Sequence, residues 1–130
     1  MSAAGKVLID TSAWIEAMRA SGDEAMRLRV ERLLLDARAV FCDLVRLELW
    51  NGARGERERR WLQELEEAID TVPTTPEVWE RANGLARSCR ARGITLPATD
   101  LLVAACAAEH GLDLLHRDAH FDRLQGLATG

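Results

Sequence analysis

The chain has 130 residues, of which 48% are hydrophobic and 29% charged, so we expect one folded domain with its own core rather than a disordered chain. Its net charge is −4, from 21 acidic and 17 basic residues, which argues against nucleic-acid binding by bulk electrostatics. Phosphate could still be bound through a metal ion and a few local arginines. The apolar runs at residues 7–9 and 101–108 are too short for a secretory signal or a membrane span, so we expect a cytoplasmic protein.

The three cysteines are Cys42, Cys89 and Cys106. They are odd in number, widely spaced and set in apolar runs, which excludes a disulfide framework and a zinc ribbon. We expect them to be buried thiols.

The first half of the chain alternates between strand-like and helical patterns. A short buried strand at residues 6–9 is followed by a helix that we expect to end near Ser21 and Gly22. An amphipathic helix begins at Asp23, and residues 39–42 are typical of a second strand. Residues 44–50 predict a helix ending at Gly52, and a further helix covers residues 61–69.

The second half continues the alternation. A third strand is predicted at residues 71–72, and Thr75 with Pro76 is a typical helix start, for a helix that runs to Gly93. Thr99 is a candidate cap for the next helix, whose residues 101–108 are apolar on every side and belong in the core. A fourth strand at residues 112–115 precedes a short C-terminal helix or turn.

Long helices between strands imply parallel crossovers. We therefore predict an α/β fold, a three-layer α/β/α sandwich with a central, mostly parallel sheet. Neither an internal repeat nor a linker interrupts residues 1–130, so the whole chain is expected to form a single domain.

Four carboxylates recur near one edge of this sheet, because parallel sheets place their sites at the carboxyl ends of the strands. They are Asp10, Glu48, Asp100 and Asp118. Buried carboxylates cannot all stay ionised side by side without a cation. Oxygen ligands suit Mg²⁺ or Mn²⁺, so the sequence predicts a divalent metal site.

Each acid also has a purely structural interpretation. Asp10 could begin a turn, Asp118 could cap a short helix, and Asp100 could be favoured by a helix dipole alone. Glu48 is the hardest to explain in this way, because its helix is mostly apolar. A metal ion is unnecessary only if all of these structural interpretations are correct at once.

Four short blocks, in order along the chain, resemble PIN domains, and in particular the VapC-type toxins of bacterial toxin–antitoxin pairs. The blocks are LIDTSAWIE at 8–16, LELWNG at 47–52, PATDLLVAA at 97–105 and RDAHF at 117–121. Each block is weak alone, whereas four at suitable spacing are fairly specific, and the resemblance spans almost the whole chain.

The resemblance implies a Mg²⁺- or Mn²⁺-dependent endoribonuclease with an α/β/α fold. It carries over Asp10, Glu48, Asp100 and Asp118 as the catalytic and metal-binding acids, with Thr11 or Ser12 as a supporting hydroxyl. It further implies a homodimer, a co-encoded antitoxin protein that blocks the site, and structured RNA such as tRNA or ribosomal RNA as substrate. One or two metal ions fit this expectation.

The last block departs from the family pattern. His116 stands where the family often has Thr, which could alter the groups around the ligands. Asp113 and Asp122 are alternatives to Asp118 as the fourth acid, and Asp43 is a further acid near Glu48.

Other polar and aromatic residues have mainly structural interpretations. The three histidines, His110, His116 and His120, lack the spacing of a zinc set, and only His116 lies beside the acidic edge in sequence. The arginine run at 54–60 is expected to be a solvated helix start, with RNA phosphate contact as the alternative. The four tryptophans are expected in the core or a dimer interface, although an exposed one could stack on RNA bases.

Two other functions are alternatives to a nuclease. A phosphoaspartate enzyme requires a late lysine, and Lys6 is the only lysine in the chain. A PIN-like module that binds protein or RNA without cutting it is the second alternative, against which the presence of all four acids counts.

Overall fold

A four-stranded parallel sheet organises the chain in the computed structural model, which describes residues 5–124. The strands are β1 (Val7–Ile9), β2 (Ala39–Cys42), β3 (Thr71–Val72) and β4 (Asp113–Leu115), in the order β3-β2-β1-β4. The helices in the described range are α1 (Thr11–Met18), α2 (Glu24–Leu35), α3 (Asp43–Asn51), α4 (Gly55–Ala68), α5 (Pro76–Ala91), α6 (Ala98–Glu109) and α7 (Ala119–Asp122). This arrangement confirms the predicted α/β/α fold.

Strand β1 is the centre of the sheet. Leu8 pairs with Val40 of β2 on one side and with Leu114 of β4 on the other. All three residues of β1 are buried, as expected of a parallel strand covered by helices on both faces. The residue that follows β1 therefore lies at the middle of the sheet's carboxyl edge.

An aromatic cluster joins the sheet to the helices. Trp14 of α1 is fully buried, and its ring centroid lies 5.3 Å from that of Phe41 in β2 and 5.8 Å from that of Trp61 in α4. The cluster fixes α1 against the sheet immediately after Asp10. Of the two predicted places for tryptophans, the core and a dimer interface, Trp14 lies in the core, whereas Trp79 is 52% exposed on α5 in the single chain.

Several predicted elements are confirmed. Strands β2 and β3 have the predicted bounds. Thr75 caps α5 by accepting a hydrogen bond from the Val78 N–H, with Pro76 in the first turn. Cys42, Cys89 and Cys106 are free thiols, and all three are buried.

Two predicted details are wrong. Thr99 does not cap α6: the helix begins at Ala98, and Pro97 stands at the cap position without a side-chain hydrogen bond. The first helix ends at Met18, before the predicted stop near Gly22. Gly22 lies where a Cβ atom would collide with the Glu16 carbonyl, so this glycine allows the close turn into α2 and does not end α1 directly.

Helix α6 is also less completely buried than its composition suggested. Leu101, Val103 and Ala105 are buried, whereas Ala108 is exposed. The helix packs against α5 on one side and approaches α3, β4 and α7 on others, so its middle is covered, whereas Ala98, Thr99, Ala108 and Glu109 at its two ends are exposed. Its first turn, which carries Asp100, is thereby brought to the site.

Two Leu→Ala substitutions are expected to change the free energy of unfolding by different amounts, because one leucine is buried and the other is exposed. We expect Leu49→Ala to lower the free energy of unfolding by about 2–5 kcal/mol, because Leu49 is 2% exposed and its loss leaves a cavity. Leu35→Ala is the control, because Leu35 is 80% exposed, and we expect a change of less than about 1 kcal/mol. Urea unfolding followed by circular dichroism measures both, and equal losses would contradict the described packing.

Candidate active site

Asp10 lies at the point where the central strand passes into α1. Its backbone N–H donates to the Leu115 carbonyl at 2.9 Å, which continues the β1–β4 pairing by one residue. Its side chain caps α1: Oδ2 accepts from the Ser12 N–H at 3.0 Å and from the Ser12 hydroxyl at 2.6 Å. Asp10 is only 5% exposed, so this carboxylate is both buried and fixed in orientation.

The Ser12 hydroxyl connects two edges of the site. While it donates to Asp10, Ser12 Oγ accepts a hydrogen bond from the Arg117 N–H at 2.9 Å. Arg117 directly precedes Asp118 in the loop after β4. One hydroxyl therefore ties the end of β1 to the loop that carries the last of the predicted acids.

Glu48 is oriented by the neighbouring hydroxyl. Thr11 Oγ1 donates to Glu48 Oε1 at 2.6 Å, which connects the start of α1 with the second turn of α3. Burial raises the pKa of Glu48, the Thr11 hydrogen bond opposes that rise, and the charges of Asp10 and Asp100 add to it. Glu48 therefore lies close enough to Asp10 and Asp100 for their charges to affect it.

Asp100 meets Asp118 across α6 and the loop before α7. Burial raises the pKa of the Asp100 carboxyl, a hydrogen bond with His120 lowers it, and the charges of Asp118 and Asp10 raise it further. Asp118 caps α7, accepting from the His120 N–H at 2.9 Å. Helix capping and membership of the acidic site are therefore compatible roles for this residue.

The structure brings together every predicted site residue. The set comprises Asp10, Thr11, Ser12, Glu48, Asp100 and Asp118. The alternatives lie elsewhere: Asp43 accepts from Thr74 at 2.9 Å, Asp113 is exposed in β4, and the Asp122 carboxylate is 3.8 Å from His116 Nε2. The geometry thus favours Asp118 as the fourth acid.

One site residue was missed. His120 Nδ1 lies 2.7 Å from Asp100 Oδ2 and 3.1 Å from Asp118 Oδ1, so the acidic cluster includes an imidazole. The sequence contained a signal for this residue: His120 stands two positions after Asp118, and a helix that begins at Asp118 places the two residues side by side. His116 lies beside the acidic edge as predicted, but it contacts backbone and aromatic groups: its ring packs on Phe121, and its Nδ1 accepts from the Asp118 N–H at 3.3 Å.

The remaining histidine and the arginine run lie outside this cluster. His110 Nε2 contacts the Pro73 carbonyl at 2.7 Å, so the three histidines do not form a zinc set. At the start of α4, Arg59 pairs with Glu56, and the Arg54 N–H donates to Glu58, as expected of a solvated helix start. Within residues 5–124, no helix has the length and apolarity that a membrane crossing requires.

Comparison with known proteins identifies the family. Residues 7–127 match the family described as PIN domain, and the chain belongs to that family. It is 36% identical over 120 residues to Ribonuclease VapC11 of Mycobacterium tuberculosis, covering 89% of both chains. Ribonuclease VapC51 of the same organism is also 36% identical over 120 residues, covering 90% of this chain and 83% of the relative.

Solved structures show the same fold at lower sequence identity. DNA-bound VapBC from Salmonella typhimurium has a TM-score of 0.79 at 17% identity and covers 94% of each chain. Mycobacterium tuberculosis VapC20, described as a sarcin–ricin loop cleaving toxin, has a TM-score of 0.68 at 19% identity and covers 92% of this chain and 95% of that one. At these identities the similarity establishes the fold alone.

The raised pKa of Glu48 predicts a gain in stability when its charge is removed. A carboxyl whose pKa is raised in the folded state stabilises the fold below its ordinary pKa of 4.5, and that contribution is lost as the pH rises through the raised value. We therefore expect Glu48→Gln, which keeps an acceptor for Thr11, to raise the melting temperature at pH 7 by on the order of 3 °C. Below pH 4.5 the variant and wild type should converge.

The control is Glu67→Gln, because Glu67 is exposed on α4. Melting is followed by circular dichroism in EDTA, so that bound metal does not contribute. An equal gain in both variants, or a gain for Glu48→Gln that is independent of pH, would contradict the electrostatic explanation.

Proposed function

We propose that this protein is a divalent-metal-dependent endoribonuclease, formed by one PIN domain over residues 1–130, and the toxin of a toxin–antitoxin pair. The observation that carries the proposal is the meeting of four carboxylates at one sheet edge: Asp10, Glu48, Asp100 and Asp118. The relatives named as VapC ribonucleases, at 36% identity over most of the chain, support the same activity.

The side chains present fit a divalent cation. Asp10 is nearly fully buried, and both Glu48 and Asp100 have a raised pKa in part because neighbouring carboxylates repel them. A cation would relieve that repulsion, and carboxylate oxygens are the donors that Mg²⁺ and Mn²⁺ take in proteins. Asp10 and Asp100 are the main candidate ligands, and Glu48 and Asp118 complete the set.

The chain's own residues supply position and orientation. When bound, a metal ion in such a site lowers the pKa of a coordinated water and offsets charge on the phosphoryl oxygens. Ser12 holds Asp10 in one orientation, and Thr11 occupies one oxygen of Glu48 so that the other can orient a water molecule. Backbone and hydroxyl contacts thus fix the acids before the substrate binds. Because the site then needs little reorganisation during the reaction, the reaction is faster.

The substrate and the partners are proposed from proteins that share this fold. We propose structured RNA of the tRNA or ribosomal class as substrate, in keeping with VapC20, which shares this fold and is a sarcin–ricin loop cleaving toxin. An antitoxin protein is the proposed partner, because several proteins with this fold were solved as VapBC complexes.

A homodimer is also proposed. It is supported by two large apolar side chains on the surface of the single chain: Leu47 is 64% exposed and Trp79 is 52% exposed. The proposed location is the cytoplasm.

Metal binding tests the site before any RNA is chosen. We expect Mn²⁺ titration by calorimetry to show binding by the wild type and a loss of affinity of at least about tenfold in Asp10→Asn and Asp118→Asn. Cleavage of total bacterial RNA should fall at least about a hundredfold in Asp10→Asn. Asp122→Asn is the control, because the Asp122 side chain is 67% exposed and lies outside the cluster.

Two outcomes would overturn the proposal. Cleavage by Asp10→Asn at the wild-type rate would show that the acidic site is not the active site. Absence of Mn²⁺ binding by the wild type would leave the fold intact and favour a PIN domain that binds RNA or protein without cutting it.

Growth on expression tests the toxin role. A ribonuclease that no antitoxin inhibits degrades essential RNA, so the induced wild-type protein should slow growth. The Asp100→Asn variant should not slow growth, because Asp100 belongs to the acidic site. Asp122→Asn, at matched protein levels, is expected to be as inhibitory as the wild type. Equal growth of cells expressing wild type and Asp100→Asn would contradict a toxin role for this site.

A further inference from the structure

The His120 imidazole lies inside the proposed metal site. Its Nδ1 is 2.7 Å from Asp100 Oδ2 and 3.1 Å from Asp118 Oδ1. One ligand atom of each of these three side chains lies within 4.8 Å of the other two. The acidic residues therefore do not form an all-oxygen site: a nitrogen donor stands between two of them.

Local structure fixes this imidazole from two directions. Asp118 caps α7, and because it accepts the His120 N–H at 2.9 Å, the two side chains are held on the same turn. Asp100 comes from the first turn of α6, which packs against α7. The His120 side chain is 42% exposed, so an ion can reach the donor atoms from solvent.

The 2.7 and 3.1 Å separations are hydrogen-bonding distances, and they place one nitrogen and two carboxylate oxygens close enough together to contact a single ion. A cation bound at Nδ1 would require the tautomer in which Nε2 carries the ring proton, and Nδ1 would then offer its lone pair to the ion.

We propose that His120 Nδ1 is a direct ligand of the divalent ion, beside Asp100 and Asp118, so that the site takes a transition-metal ion such as Mn²⁺ in preference to Mg²⁺. Both ions take carboxylate oxygens, but Mn²⁺, as a transition metal, also binds imidazole nitrogen, whereas Mg²⁺ strongly prefers oxygen donors. This inference rests on the proposed metal site and adds to it which ion that site selects.

Pulsed electron paramagnetic resonance of the Mn²⁺-loaded protein tests the ligand directly. We expect a nitrogen hyperfine coupling in the wild type that changes to the ¹⁵N pattern when the protein is labelled with ¹⁵N-histidine. The coupling should vanish in His120→Ala and persist in His110→Ala. His110 is the matched control, because it contacts the Pro73 carbonyl and lies outside the cluster.

Calorimetry measures selectivity on the same proteins. Mg²⁺ binding should weaken in His120→Ala by about tenfold at most, because for this ion His120 only holds Asp100 and Asp118 in place. Mn²⁺ binding should weaken at least about tenfold more than Mg²⁺ binding, because this ion loses a direct ligand as well. His110→Ala should leave both affinities unchanged, and circular dichroism confirms that each variant is folded.

The outcomes separate this inference from the proposed function. Mn²⁺ bound without histidine nitrogen coupling would overturn the role of His120 and leave the metal-dependent nuclease intact. Equal losses of Mn²⁺ and Mg²⁺ affinity in His120→Ala would overturn the proposed selectivity. Failure of the wild type to bind Mn²⁺ would overturn both proposals. The labelled wild-type spectrum shows whether any histidine nitrogen binds the ion, and His120→Asn is the second variant that identifies His120 if His120→Ala fails to fold.

Discussion

The structure around the site depends on one constraint: several partly buried carboxylates have to be held close together at the carboxyl edge of the sheet, although their charges repel one another. Burial raises the pKa of both Glu48 and Asp100, and the charges of neighbouring carboxylates raise it further. A fold that keeps such a site has to hold each acid in place against that repulsion. Here a separate hydrogen bond does so for each acid: Ser12 for Asp10, Thr11 for Glu48, and His120 for Asp100 and Asp118.

The hydroxyls of Thr11 and Ser12 link elements that are distant along the chain. Thr11 joins the start of α1 to α3, and Ser12 joins the end of β1 to the loop after β4. In that loop the Arg117 guanidinium also donates to Asp23 at 3.1 Å, at the start of α2. Because α1 itself is fixed by buried Trp14, the site has a rigid base, and precise placement of charged groups requires one.

An acidic chain that acts on RNA needs positive charge at the point of contact. Several arginines are already engaged in the described part of the chain: Arg19 pairs with Glu58, Arg46 with Glu66, and Arg81 with Glu109. With a net charge of −4, bulk attraction for phosphate is absent. In the proposed nuclease, a divalent ion held by the acids would supply the positive charge at the phosphodiester, and the acids that repel one another without the ion would be its ligands.

The sequence by itself determined the succession of strands and helices and the parallel sheet, and it predicted Asp10, Glu48 and Asp100 as site acids while leaving the fourth acid open. The predictions of the elements depend on local patterns, such as the apolar run of β1 and the Thr75–Pro76 helix start. Only the tertiary structure shows how Asp100 reaches the other acids, since α6 follows another helix rather than a strand and its first turn is placed by packing. It likewise decided that His120, and not His116, faces the acids, because the direction of each side chain depends on how α7 begins at Asp118. Periodicity describes which residues share a face of one element, whereas distances between elements arise from packing that no single segment encodes.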